Sequence, residues 1–231
     1  TFLVKYTSNG QFQWKKALQG DVNGVTFNNT ILYDLLIDSN DTIHFIAGFT
    51  SGTHLENNIT IPTTVTGSQH YLIKYDTNGN YISNMQLPMA DGSFFVPPSF
   101  TFKLDEPRNR YYIGGFRSYV NTNEDIPLTY DGTAFTNNAY ILAIDAGNGN
   151  EIWRREMDTS HNDDCRIYDL VVDDANGDIY IGGKFFRTGA NGGAVVKIID
   201  TKNPANNPYT FNPSITGNMP FIAKLNSSGT V

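Results

Sequence analysis

The 231 residues carry 16 Lys and Arg against 23 Asp and Glu, a formal charge of −7 and an isoelectric point near 4.9. With no run of Lys or Arg, that balance excludes the basic patch a nucleic-acid binder requires. A chain that is 39% hydrophobic and 13% aromatic can bury a core, which excludes a disordered tail, and no stretch approaches the roughly 20 apolar residues of a membrane span.

In chain order the first element is a β-hairpin near 2–18. An apolar strand, Phe2 to Tyr6, meets the turn Thr7-Ser-Asn-Gly10 and returns through Trp14. Asn-Gly supplies the positive φ that tight hairpin turns need. The next hairpin lies near 32–50, with strands Tyr33 to Ile37 and Thr42 to Phe49 around a turn at Asp38 to Asp41. These two blocks then alternate. The first returns near 71–87, 140–157 and 221–231, and the second near 99–118 and 166–185. Lys5 to Lys74 and Lys74 to Ala143 are each 69 residues (74 − 5 and 143 − 74), whereas Ala143 to Lys224 is 81, an insertion of 12. In the second block a Gly stands ten positions after the turn Asp in each copy: Gly48, Gly115 and Gly183. A fixed period of this length predicts a repeat architecture. The linking stretches Thr50 to His70, Arg117 to Asn138 and Phe185 to Pro220 vary most. They read as loops; the last, with Pro204, Pro208 and Pro213, is expected to hold edge strands at most.

Two hairpins per period make four strands, so the fold predicted is all-β, built of four-stranded antiparallel blades, with residues 1–231 one repeat region. At 69 residues a blade the chain supplies about three, and closed propellers take about 4 to 8. The chain opens on Thr1 and its end units are half-blades. It is therefore expected to be a piece of a longer protein, completed by the rest of the parent chain or by a surface or secretion partner. Leu36-Ile37, Phe102 with Leu104, and Leu170 to Val172 are expected on equivalent buried strands.

The blocks resemble β-propeller repeats common in secreted and cell-surface proteins of Bacteroidota. The resemblance rests on Leu3-Val-Lys-Tyr6 with Trp14, on Ile222-Ala-Lys-Leu225, and on Asp173 with Asn176-Gly-Asp-Ile-Tyr180 and Gly183. Ala143-Ile-Asp-Ala146 with Gly149 and Trp153 is also similar to quinoprotein-type propeller repeats. The resemblance implies an extracellular or surface location, export by the type IX route, and adhesion or protein binding. It is specific for architecture rather than activity.

No catalytic, cofactor-binding or metal-ligating residue is assigned from the sequence. Asp76-Thr-Asn-Gly-Asn80 and Asp174-Ala-Asn-Gly-Asp178 begin like calcium loops, but the twelfth positions are Leu87 and Phe185 rather than Glu. Turn chemistry accounts for both. Asp158-Thr-Ser-His-Asn-Asp-Asp-Cys165 gathers three carboxylates, a His and a Cys without a second His or Cys at zinc spacing, and reads as a solvated acidic loop. His44, His54 and His70 are scattered over other segments. Cys165 is the single cysteine; it permits no internal disulfide and reads as an inert residue near the start of a buried strand. No Gly-x-Ser-x-Gly elbow and no phosphate loop occurs. The recurring aromatics Tyr6, Trp14, Phe49, Tyr75, Tyr81, Phe116, Trp153 and Tyr180 read as packing between blades. The expected function is a non-enzymatic binding or scaffold module with carbohydrate as a candidate ligand. The alternatives are a fragment of a carbohydrate-active propeller enzyme, marked by acidic residues converging on one channel mouth, and a structural spacer.

Overall fold

The computed structural model describes residues 1–18, 20–22, 25–27, 30–55, 58–65, 68–90, 100–116, 128–137, 139–159, 165–187, 196–200, 209–211 and 217–231. The protein is all-β with antiparallel sheets, and among the described residues the helical content is one 3-10 turn, Glu106–Arg108. The chain divides into two units, Thr1–Asp91 and Gly92–Val231.

In the first unit β1 (Phe2–Tyr6) and β2 (Phe12–Ala17) form a hairpin that sets Lys5 opposite Trp14. Then come β3 (Gly20–Val22), β4 (Val25–Phe27), β5 (Thr30–Ile37), β6 (Ile43–Phe49), β7 (Gly52–His54), β8 (Ile59–Ile61), β9 (Gln69–Tyr75), β10 (Tyr81–Gln86) and the short β11 (Met89–Ala90). Strands β5, β6, β9 and β10 are neighbours in that order, an up-and-down sheet made of one second-block and one first-block hairpin. Central strands are covered on both faces and read as near-continuous apolar runs; β6, Ile-His-Phe-Ile-Ala-Gly-Phe, is buried at all seven positions. The stretch Thr50 to His70 is more than a loop. Strands β7 and β8 pair there and join β3 and β4 in a small sheet. Leu55, Ile59 and Ile61 enter the core with Phe45, Phe49 and Tyr71, so apolar residues set two apart give this segment a buried face.

The second unit holds β12 (Thr101–Asp105), β13 (Arg110–Phe116), β14 (Thr129–Tyr130), β15 (Thr133–Ala134), β16 (Ala139–Asp145), β17 (Glu151–Thr159), β18 (Cys165–Val172), β19 (Ile179–Arg187), β20 (Val196–Ile199), β21 (Tyr209–Phe211) and β22 (Gly217–Leu225). The four-stranded pattern returns as β12-β13-β16-β17, extended at its outer edge by β20 and β21. The edge strands expected after Phe185 are these two, and they join the preceding sheet rather than one of their own. Pro204, Pro208 and Pro213 lie outside the described residues. A third sheet runs β18-β19-β22. Within the stretch Arg117 to Asn138, residues 117–127 and 138 lie outside the described residues, and 128–137 are a packed β14–β15 hairpin with Leu128, Tyr130 and Phe135 buried.

Two expectations need correction. The three second-block strands are equivalent, but not uniformly buried: Ile37 and Val171 are exposed at 60% and 58%. They stand on the first, outermost strand of each sheet, where alternation turns every second side chain outward. Gly48 also is not the register equivalent of Gly115 and Gly183. Those two pair with Tyr140 and Phe221, and the matching partner of Tyr71 is Ala47. The turn between Ile37 and Ile43 has five residues and that between Val172 and Ile179 has six, which shifts the returning strand by one.

Candidate functional site

The turns that suggested calcium are closed by Asp carboxylates at their start, Asp76 in the first and Asp173, one residue before Asp174, in the second. Asp76 Oδ1 accepts from the backbone N–H of Asn78 and Asn80, each at 2.8 Å, and Oδ2 accepts from Asn80 Nδ2 at 2.8 Å. These bonds hold the Asp76 carboxyl below the usual range, led by the Asn80 backbone N–H. The same self-capping recurs at Asp38, Asp145, Asp173 and Asn226, whose Oδ1 atoms accept from backbone N–H groups two to four residues on. Asp178 instead meets Lys224. Among the described residues no group of three or more His, Cys, Asp or Glu could hold a metal ion.

Residues 160–164 of the acidic stretch lie outside the described residues. Asp158 and Thr159 end β17, and Cys165 begins β18, fully buried, with Sγ 3.5 Å from Met157 Sδ. The histidines in the first unit are buried and engaged separately: His44 with Asp38 at 3.1 Å, His54 with the Thr50 carbonyl at 2.8 Å, His70 with the Tyr33 hydroxyl at 3.1 Å. The structure does not bring them together.

What does recur is a contact between one hairpin and the turn of the next first-block copy. Trp14 Nε1 donates to the Thr77 carbonyl at 3.0 Å, and Trp153 Nε1 donates to the Ser227 carbonyl at 3.0 Å. Each indole lies on the glycine that closes the receiving turn. A Cβ on Gly79 would stand 3.1 Å from the Trp14 ring, and one on Gly229 would stand 2.8 Å from the Trp153 ring. Both glycines have positive φ, +78° and +77°, so backbone and space each demand Gly. A cation joins each carbonyl: Lys5 Nζ reaches Thr77 O at 2.7 Å and Arg110 reaches Ser227 O at 2.8 Å.

Strand β17 shows how one strand serves two faces. Trp153 and Arg155 point to the turn 226–230, where Arg155 donates to the carbonyls of Gly229 (2.6 Å) and Ser228 (3.2 Å) and pairs with Asp200 at 3.0 Å. Arg154 and Glu156 point the other way. Arg154, with no exposed side-chain surface, pairs with Glu151, donates to the carbonyls of Tyr130, Thr133 and Ala134, and lies 4.2 Å from the Phe135 ring centre. The Glu156 carboxylate accepts from the backbone N–H of Thr136 and Asn137, each at 2.7 Å. Two buried charges therefore fasten the β14–β15 insertion, and both are fully engaged.

A groove of about 520 Å³ lies in the first unit between β1 and the turn end of the β5–β6 hairpin. Leu3, Val4, Tyr6, Trp14, Leu35, Ile37 and Ile43 give it apolar walls, and Lys5, Asp41 and Thr77 mark its polar end. Val4, Tyr6, Leu35 and Ile37 are among the exposed large apolar residues of the chain. The sequence placed Ile37 on a buried strand and did not mark Leu35, because the walls come from two different repeats. The aromatic position at Trp14 and Trp153 was legible as a packing site between repeats.

No protein-family model matches the chain, and no curated protein matches it.

Proposed function

We propose that this chain is a run of β-propeller blades acting as a non-enzymatic binding or scaffold module, exposed at a cell surface or secreted, as part of a larger adhesin or surface complex. The observation that carries this reading is the repeated Trp-on-turn contact. The four-stranded unit recurs along the chain, and the same contact of indole, carbonyl and glycine joins the first first-block copy to the second and the third to the fourth, while Ser83 stands at the Trp position of the second copy. Such regular stacking favours a rigid support with ligands at grooves and rims. Charged side chains that could do chemistry are committed to structure: Arg154 with Glu151, Glu156 with the loop at 136–137, Asp105 with Arg108. The groove offers flat aromatic and aliphatic surface with a few polar groups, the make-up of a site for a sugar ring or an extended segment.

The test is a titration of the purified chain with a panel of defined oligosaccharides, following amide shifts at Val4, Tyr6, Leu35 and Ile37 and the length of the sugar in the same tube. Saturable shifts with the sugar recovered intact, abolished by Ile37→Glu, are the expected result. Shortened oligosaccharide would overturn the reading in favour of an enzyme fragment. Silence across the panel would leave a spacer.

A further inference from the structure

His54, at the end of β7, sits where only one protonation state is accommodated. It is 2% exposed. Its Nε2 lies 2.8 Å from the Thr50 carbonyl, and a carbonyl only accepts, so Nε2 carries the proton. In the neutral ring Nδ1 is then a lone pair, and among the described residues it meets no hydrogen-bond partner. A second proton would place an N–H and a charge there with nothing to receive them, which burial makes costly. The Phe49 ring of β6 lies 4.7 Å from the imidazole, centre to centre. Opposite His54 in register stand Gly20 of β3 and Ile59 of β8; Asp21 of β3 is at the next position, opposite Thr53. Strand β8 brings no titratable group. On β6, His44 is taken by Asp38. On β9, His70 meets the Tyr33 hydroxyl, burial pushes the Tyr71 hydroxyl up, and Lys74 and Tyr75 stand opposite His44 and Ile43 at the far end. Glu56 lies outside the described residues. Burial is the larger influence on the imidazole and pulls its pKa down.

The hairpin that His54 belongs to is lightly held. Strand β7 meets β3 at two register pairs and β8 at three, whereas β6 meets β9 at seven. The backbone is also bent against preference. Gly52 opens β7 at φ +133°, and Leu55, just past its end, has φ +51°, a left-handed conformation that strains a bulky residue. Leu55 is kept there by burial, at 3% exposed, and by Asn58, whose backbone N–H and Nδ2 donate to the Leu55 carbonyl at 3.0 and 2.7 Å. Opening relaxes Leu55 and hydrates His54 together. A short, strained segment with few pairs opens ahead of the core it lies on.

We propose that the β7–β8 hairpin is an acid-released clasp, closed while His54 is neutral and freed from β3 and from the core of the first unit when Nδ1 takes a proton. Release bares Leu55, Ile59 and Ile61, each 3% exposed when the clasp is shut, and uncovers the edge of β3 that β7 occupies. The open imidazole binds a proton near its ordinary value of about 6.5 and the closed one only at lower pH, so acid favours the open form.

The experiment is native-state amide exchange of the whole chain at pH 7.5 and 5.5, with and without low urea, on wild type, His54→Gln and Glu56→Gln. Rates divided by those of an unstructured chain at the same pH give opening constants for β7 and β8 and, as reference, for β9. The hairpin should open by a local step, more readily than β9 and almost indifferent to urea, while the opening of β9 rises steeply with urea. Between pH 7.5 and 5.5 the hairpin's opening constant should rise about tenfold in wild type and in Glu56→Gln. It should stay level in His54→Gln, which keeps a side-chain donor for Thr50 but does not titrate. A hairpin that exchanges only together with β9 and with its urea dependence, an opening constant indifferent to pH, a response lost in Glu56→Gln or one kept in His54→Gln would each overturn the proposal. Should His54→Gln fail to fold, the imidazole signal of the wild type decides. Its titration midpoint should lie below about 6.5, and a midpoint at or above that value would overturn the proposal.

Discussion

At Gly229 a φ of +77° and an indole face 2.8 Å from the place of a Cβ act together. Gly229→Ala should therefore cost about 2–3 kcal/mol in a urea melt, from backbone strain plus overpacking. Gly10→Ala has the same backbone, φ +82°, in open space and should cost only about 1 kcal/mol. Equal losses at the two sites would contradict the role given to the indole. Trp153→Ala should cost about 3–5 kcal/mol, and Trp153→Phe less, because it keeps ring packing and gives up the bond to Ser227. His54 is 2% exposed, and its pKa is pulled down by burial against a smaller opposing pull from the Thr50 carbonyl. The unfolded chain then takes up a proton near 6.5 before the folded one does, so stability is complete above that pH and is lost as pH falls below it. Thermal melts between pH 7.5 and 5.5 should show a steeper fall for wild type than for His54→Gln; parallel slopes would remove His54 as the cause.

At the scale of the element, β17 divides its work by alternation, and the Arg154–Glu151 pair is its buried fastening. Arg154→Ala strands the Glu151 carboxylate, and breaking a buried pair on one side costs about 3–5 kcal/mol. Amide exchange of Thr129 to Ala134 should speed up more than that of β16, because Arg154 holds three carbonyls of the β14–β15 hairpin. Uniform acceleration over both would show that the pair supports the sheet as a whole. The hairpins themselves were legible in the sequence: apolar alternation marks the strands, and Asp-x-x-Gly turns cap themselves through Oδ1, which is why Asp recurs there without a metal-loop Glu. The β14–β15 hairpin was not legible, because its burial is supplied by a distant partner, Arg154, and the β7–β8 hairpin was missed because its alternation, Ile59 and Ile61, spans only three-residue strands. Nor was the pairing of β20 with β17, since Met157 and Ile198, opposite each other but 41 residues apart in number (198 − 157), carry no local record of each other. The one-residue shift at Gly48 escaped because counting from Asp assumes turns of equal length.

At the scale of the whole molecule, the propeller proposed above would make each first-block turn an equivalent point on successive blades. The groove stayed hidden in the sequence because Val4 and Ile37 belong to different copies, and exposure at one face of a repeat depends on the neighbour, not on the residue. Asn9, Asn78, Asn148 and Ser228 are exposed and sit at the corresponding place in the four turns. Spin labels at pairs of these positions, in a Cys165→Ala background that removes the native thiol, measure the arrangement directly. For blades around a common axis, the separations 9–78, 78–148 and 148–228 should be nearly equal, and the 9–148 and 78–228 separations clearly shorter than the sums of their steps. Separations that add up along a line, or steps of unrelated length, would contradict the propeller reading.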